Sequence, residues 1–201
     1  MVTRRTQQRA ATRERIVEAA LEAFADKGFH GASTRDIARR ARTNQGLITY
    51  HFRSKDALWR AAAERVFGLL RQSLAESLAS LRTAAPRERA RAAIRAYVRF
   101  AAAHPELFRL MVEEGKSAEV RMQWLVDTHL KPIYQRFFRD GGWFGDGPDE
   151  SLVPHLYYVL AGAASLIFVV APECRRLTGL DPGTAHAVET HAGLVQRLLV
   201  P

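Results

Sequence analysis

Helical periodicity almost from end to end, three helix-capping residues placed directly before apolar runs, and the lack of any alternating strand pattern together predict an all-α fold. The 201 residues and a hydrophobic share of 47% suffice to bury a sizeable core.

The first helix is expected over Thr12–Lys27. Ile16, Ala20 and Phe24 form one i, i+4, i+8 stripe with Val17 and Leu21 beside it, and Gly28 is the stop. Ser33 can cap a second, two-turn helix, with Asp36 three residues on and Ile37, Ala38 and Ala41 turned inward. After Arg42 and Thr43, Asn44 is a good N-cap for a third short helix, Gln45–His51, which offers Leu47, Ile48 and Phe52 to the core. Ser54 then caps a long helix from Lys55 to about Leu81, marked by Leu58, Ala62, Phe67, Leu70, Leu74, Leu78 and Leu81. Two short helices joined by a tight turn make a helix-turn-helix, and the long helix joins it to the rest.

Beyond Pro86, helices are expected at 87–103, 105–114, 118–139, 149–171 and 182–199, with Asp140–Asp149 as the clearest break. The expected architecture is therefore an N-terminal three-helix bundle continuous, through one helix, with a C-terminal helical domain. The boundary is placed between residues 1–54 and 55–201.

Net charge is +9, and it is unevenly spread: residues 1–65 carry 14 Lys+Arg against 7 Asp+Glu, residues 66–201 carry 16 against 14. A positive first third suits a polyanion, because each neutralised phosphate releases counterions; a solvated basic face is the alternative on charge alone. The single cysteine, Cys174, excludes an internal disulfide, and no Cys/His spacing suits structural zinc, so a reducing cytoplasm fits. The Arg- and Gln-rich start reads as neither signal peptide nor anchor. The longest apolar stretch, Val159–Ala171, reads as too short and too rich in Ala and Gly to span a bilayer, so no membrane is expected. No cofactor motif is visible.

Within residues 33–58, the strings DIARRA, NQGLITYHF and SKDAL resemble the DNA-binding signature of the TetR family of transcriptional repressors. APECRRLTGLDP at 171–182 and the run from Trp124 to Phe138 resemble one branch of it. The resemblance implies a homodimeric regulator that binds palindromic double-stranded operator DNA and responds to a small-molecule effector. Three positions depart from the family pattern: Arg42 stands where relatives usually have glycine, Thr43 where they have an apolar residue, and Arg53 where many have glycine. A non-glycine residue at a turn position needing positive φ costs about 1 kcal/mol.

Recognition helices bring short polar side chains to the major-groove edge, the N-terminal residues closest. Thr43, Asn44, Gln45, Gly46 and Thr49 suit base contact. Gln45 can bond adenine bidentately, Gly46 allows close approach, and Thr49 offers a hydroxyl and a methyl. Tyr50, His51 and Lys55, with the amides beside Thr34 and Arg35, suit phosphates. Gln45 and Thr49 as plain exposed polar residues, and His51 as a packing residue beside Phe52, are the alternatives. Arg4, Arg5, Arg9 and Arg13 could form a flexible arm reaching the minor groove, or make no contact.

The resemblance further implies a ligand cavity in the C-terminal part, and pairing of its last two long helices with a second subunit. Candidate cavity residues are Phe67, Tyr97, Phe100, Met111, Trp124, His129, Tyr134, Phe137, Tyr157 and Phe168, which favour an apolar or aromatic effector; each is equally at home as core filling. Candidate dimer residues are Gly162, Ser165, Val188, His191, Val195 and Leu198, unless these stripes close the subunit's own core. An enzyme would have to draw on His104, His129, His155, His186 and His191, which no motif joins. A non-specific structural DNA-binding protein is the remaining rival.

Overall fold

The computed structural model describes residues 4–116, 118–139 and 150–200, and the expected break at 140–149 lies outside them. The described residues are helical, with no strand among them. Helix α1 (Arg4–Gly31) begins eight residues earlier than the expected start at Thr12, so Arg4, Arg5, Arg9 and Arg13 extend a helix and form no extended arm. Gln, Arg and Ala in this stretch lose little freedom on becoming helical, which accounts for the extension. The stripe itself is buried as expected: Ile16, Val17, Ala20, Leu21 and Phe24 are at most 3% exposed. Gly28 breaks the helix from within at φ 67°, a conformation that glycine adopts without a side-chain clash.

Helices α2 (Thr34–Arg40), α3 (Gln45–His51) and α4 (Lys55–Ala79) follow, each capped by the residue that sequence indicated. Ser33 Oγ accepts from the Asp36 amide, Asn44 Oδ1 from Leu47 and Ser54 Oγ from Ala57. Asp36 completes no capping box; its carboxylate instead ion-pairs with Lys27 at 2.9 Å and with Arg39, which ties α2 to the end of α1. The turn between α2 and α3 carries Arg42 at φ 51°, the one positive-φ residue other than glycine among the described residues.

Helices α5 (Pro86–Ala103) and α6 (Pro105–Glu114) each open on proline, where a missing amide is harmless. The helix expected over 118–139 is a composite. It runs as α7 (Val120–Leu125), a π turn (Val126–Leu130), α8 (Lys131–Tyr134) and a second π turn (Gln135–Arg139). Pro132 cannot donate to the carbonyl four residues back, and just before it Lys131 N donates five residues back to Val126 O. The helix expected over 149–171 ends at Val169 as α9 (Val153–Val169); a separate α10 (Ala171–Thr178) follows, closed by Gly179 at φ 75°. Thr184 caps α11 (Ala185–Leu199).

One core runs through the chain, from Ile16 and Phe24 through Trp59 and Phe67 to Ile94, Leu110, Leu125, Leu160 and Val195. Helix α1 packs along both α4 and α6, and α5 packs against α4, α9 and α11. The segment Glu150–Val169, which takes in most of the Val159–Ala171 stretch judged too short on its own, is long and apolar enough to cross a membrane by length and composition alone. Only 28% of its most apolar 18-residue window is buried within the chain.

Candidate nucleic-acid interface and effector cavity

The second helix of the helix-turn-helix, α3, buries Ile48 and leaves Asn44, Gln45, Gly46, Thr49 and Tyr50 exposed, with Thr43 and His51 half-buried. Five of those residues are the expected base readers, and they lie together at the N-terminal end and outer face of α3. Gln45 Nε2 donates to Thr34 Oγ1 at 3.0 Å, and Thr49 Oγ1 donates back to Gln45 O at 3.3 Å. A Cβ on Gly46 would stand 3.2 Å from Asn44 Oδ1, so the missing side chain also gives the cap its room.

Tyr50 is 62% exposed, and the Arg9 guanidinium lies 5.0 Å from its ring centre. Arg13 lies 5.1 Å from Phe52, so the extended α1 brings two cations beside α3. Partial burial, then Arg9 and Arg13, hold His51 below its ordinary pKa and so keep it neutral at pH 7. Arg35 is exposed at the start of α2, with Thr34 half-buried beside it. Lys55 is held inward: its ammonium donates to His30 O at 3.4 Å and sits 4.7 Å from the Phe29 ring centre. Partial burial and the nearby Arg121 lower its pKa.

Helix α4 runs from this surface to a cavity of about 810 Å³ between α4, α5, α6, α9 and the composite helix. Six of the ten candidate aromatic and Met residues line it: Phe67, Tyr97, Met111, Tyr134, Phe137 and Tyr157. The other four lie elsewhere. Phe100 tilts against His104, Trp124 meets Trp59 edge-on, His129 stacks behind Phe67 at 4.5 Å, and Phe168 packs on His191. Phe108 and Phe138 line the cavity without having been singled out, because helical spacing alone does not separate a cavity wall from solid core. Among the described residues no Asp or Glu is in the lining; Lys116 and Lys131 are, ion-paired to Glu113 at 2.7 Å and to Asp127 at 2.5 Å. Burial and the neighbouring Tyr157 raise the Tyr97 phenol's pKa, so it stays protonated.

The six candidate pairing residues differ in exposure. Val195 and Ser165 point into the chain's own core, Ser165 Oγ donating to Ala161 O at 2.7 Å. His191 is half-buried, its Nε2 2.7 Å from Ala163 O, and Val188 is also half-buried. Gly162 and Leu198 are exposed, and so are Leu166 and Leu194, which sequence did not single out. In helices this rich in Ala, Val and Leu both faces are apolar, and core packing takes one of them.

A capped helix-turn-helix is thus continuous, through α4, with a helical body that carries a largely apolar cavity. Residues 16–67 match the model of bacterial regulatory proteins of the tetR family. It is 38% identical over 82 residues to the HTH-type transcriptional regulator BetI of Pectobacterium carotovorum, an alignment covering 41% of this chain and 42% of that one. A BetI of Yersinia pestis is 35% identical over 80 residues, 40% of each chain. The match thus spans well under half of these relatives. Over the whole chain the fold resembles a TetR-like transcriptional regulator from Rhodococcus sp. RHA1, at TM-score 0.66 and 20% identity, covering 94% of this chain and 93% of that one. It also resembles FadR of Bacillus subtilis, solved with stearoyl-CoA, at TM-score 0.67 and 17% identity, covering 93% and 97%.

Proposed function

We propose that the chain is a cytoplasmic, homodimeric transcriptional repressor that binds a palindromic operator and is released by an apolar effector. The observation that carries this reading is the span of α4: Lys55 stands beside the recognition helix, while Phe67, Leu70 and Leu74 of the same helix line the cavity. Residues 1–54 would act as the DNA-binding domain and residues 55–201 as the ligand-binding and dimerisation domain. Thr43, Asn44, Gln45, Gly46 and Thr49 would read bases. Thr34, Arg35, Tyr50, His51 and Lys55 would hold phosphates, His51 as a neutral N–H donor.

One seven-residue recognition helix reads only a few base pairs, so two copies roughly 34 Å apart are needed for a palindrome. The exposed apolar side chains of α9 and α11, Leu166, Leu194 and Leu198 beside Gly162, suit a four-helix pairing with a second copy, with Val188 and His191 at its edge. The cavity's size and the lack of carboxylates among its described lining residues favour a neutral or anionic ligand with a large apolar or aromatic part; stearoyl-CoA, seen in the FadR complex, is of that kind. Release requires the ligand to favour the DNA-incompetent arrangement, since equal affinity for both shifts nothing.

Selection of duplexes from a random pool by the full-length protein tests the reading. Enrichment of one inverted repeat, with half-site centres about one helical turn apart, is the expected result. A pool that stays unenriched at every salt concentration would refute it.

A further inference from the structure

The corner between α6 and α7 belongs both to the cavity wall and to the contact with the helix-turn-helix. Gly115 and Met122 line the cavity, and their immediate neighbours Glu114 and Arg121 face the other way. Arg121 is 88% buried at its side chain by the 12% exposure it retains, and Glu114 is 97% buried by its 3%. The guanidinium donates to Glu114 Oε2 at 3.2 Å and to Glu119 Oε2 at 2.6 Å, and its carbon lies 3.9 Å from the centre of the Phe29 ring. Phe29 and His30 form the corner just after the Gly28 break, ahead of the recognition unit. His30 Nε2 is 3.5 Å from Glu119 Oε1, and Lys55 presses on the same Phe29 ring. Trp124 of α7, three residues on, meets Trp59 of α4 edge-on at 5.6 Å.

We infer that Arg121, held by Glu114 and Glu119 against Phe29, is a positioning residue: it sets the orientation of the helix-turn-helix and passes displacement of the Met122 wall to it. The inference rests on the proposed reading of the cavity as the effector site. A fork of several donors on a planar cation can bond two carboxylates and stack on a ring at once, which a lysine ammonium cannot do in one geometry. A bulky group arriving at Met122 moves a short six-residue helix whose other face is this contact. Packed side chains of this kind switch between discrete arrangements more readily than they deform.

The test measures operator affinity, non-specific affinity and their salt dependence for full-length wild type, Arg121→Met, Arg121→Lys, Glu119→Gln and Met122→Trp. Arg121→Met is expected to weaken operator binding roughly 2- to 30-fold, with an unchanged slope of log affinity against log salt. Arg121→Lys should restore little of it, and Glu119→Gln should lose less. Met122→Trp, which adds bulk to the wall in place of a ligand, should weaken binding similarly, and the double variant Arg121→Met, Met122→Trp should lose no more than the worse single one. Should Arg121→Met fail to fold because buried Glu114 loses its cationic partner, the half-exposed Glu119 decides the point. The inference is overturned if folded Arg121 and Glu119 variants bind the operator like wild type, if the salt slope falls by about one, as for a lost phosphate contact, or if the two losses add. Wild type without sequence preference would refute the regulator reading itself, a result distinct from all of these.

Discussion

Gln45 Nε2 donates to Thr34 Oγ1 at 3.0 Å, joining the first residue of the recognition helix to the first residue of the helix before it. The bond fixes the amide's orientation in the free protein, with its carbonyl oxygen left to accept. A side chain already ordered loses less entropy on meeting a base.

Gln45→Ala is therefore expected to relax sequence preference at one base pair of each half-site, at a cost of about 1–3 kcal/mol for the preferred base. Thr34→Val, which removes the acceptor and keeps the shape, should weaken the preference at the same base pair by a smaller amount. Competition binding with single-base operator variants reads both. Uniform loss over every base would show that Gln45 reads none.

Arg42 occupies the left-handed region at φ 51°, at the position where the family pattern has glycine. Arg42→Gly is expected to raise stability by about 1 kcal/mol, seen as a higher urea midpoint at unchanged m-value. An unchanged or lower midpoint would mean that the arginine's contacts outweigh the backbone strain.

His129 gives the stability a defined pH dependence. Burial first, and Arg71 second, hold its imidazole down to about 4, against 6.5 for the free side chain. Arg71 Nη1 lies 3.2 Å from Nδ1 and can only donate, so the proton of the neutral ring sits on the buried Nε2. As pH falls below 6.5 the unfolded chain takes up a proton that the folded one refuses, so stability declines until about pH 4 and is flat above 6.5. The loss amounts to about 3 kcal/mol at the lower end. His129→Phe, which keeps the stack on Phe67, should remove that part of the pH dependence, as measured by urea unfolding at pH 7 and pH 4.5. Parallel pH profiles for the two proteins would contradict the assignment.

The DNA-binding unit was the most legible part of the sequence because its signals are local. Ser33, Asn44 and Ser54 each cap the helix that follows them, and the span Gln45–His51 emerges unchanged. What stayed hidden depends on contacts far apart in the chain. Nothing around Arg121 announces that it will meet Phe29, 92 positions earlier by subtraction of their numbers. Pro132 marks a disturbance, but not that the backbone would answer with π turns on both sides. The apolar stripe of α11 is wide enough that the sequence does not show which of its faces meets the core; packing against α5 and α9 buries Val195 and leaves Leu194 exposed.

Fluorescence anisotropy of the full-length protein on its selected inverted repeat, against a scrambled duplex of equal length at the same salt, tests the central claim most directly. Sequence-specific recognition predicts a preference of about a thousandfold or more, with one recognition helix per half-site. Equal affinity for the two duplexes would contradict it.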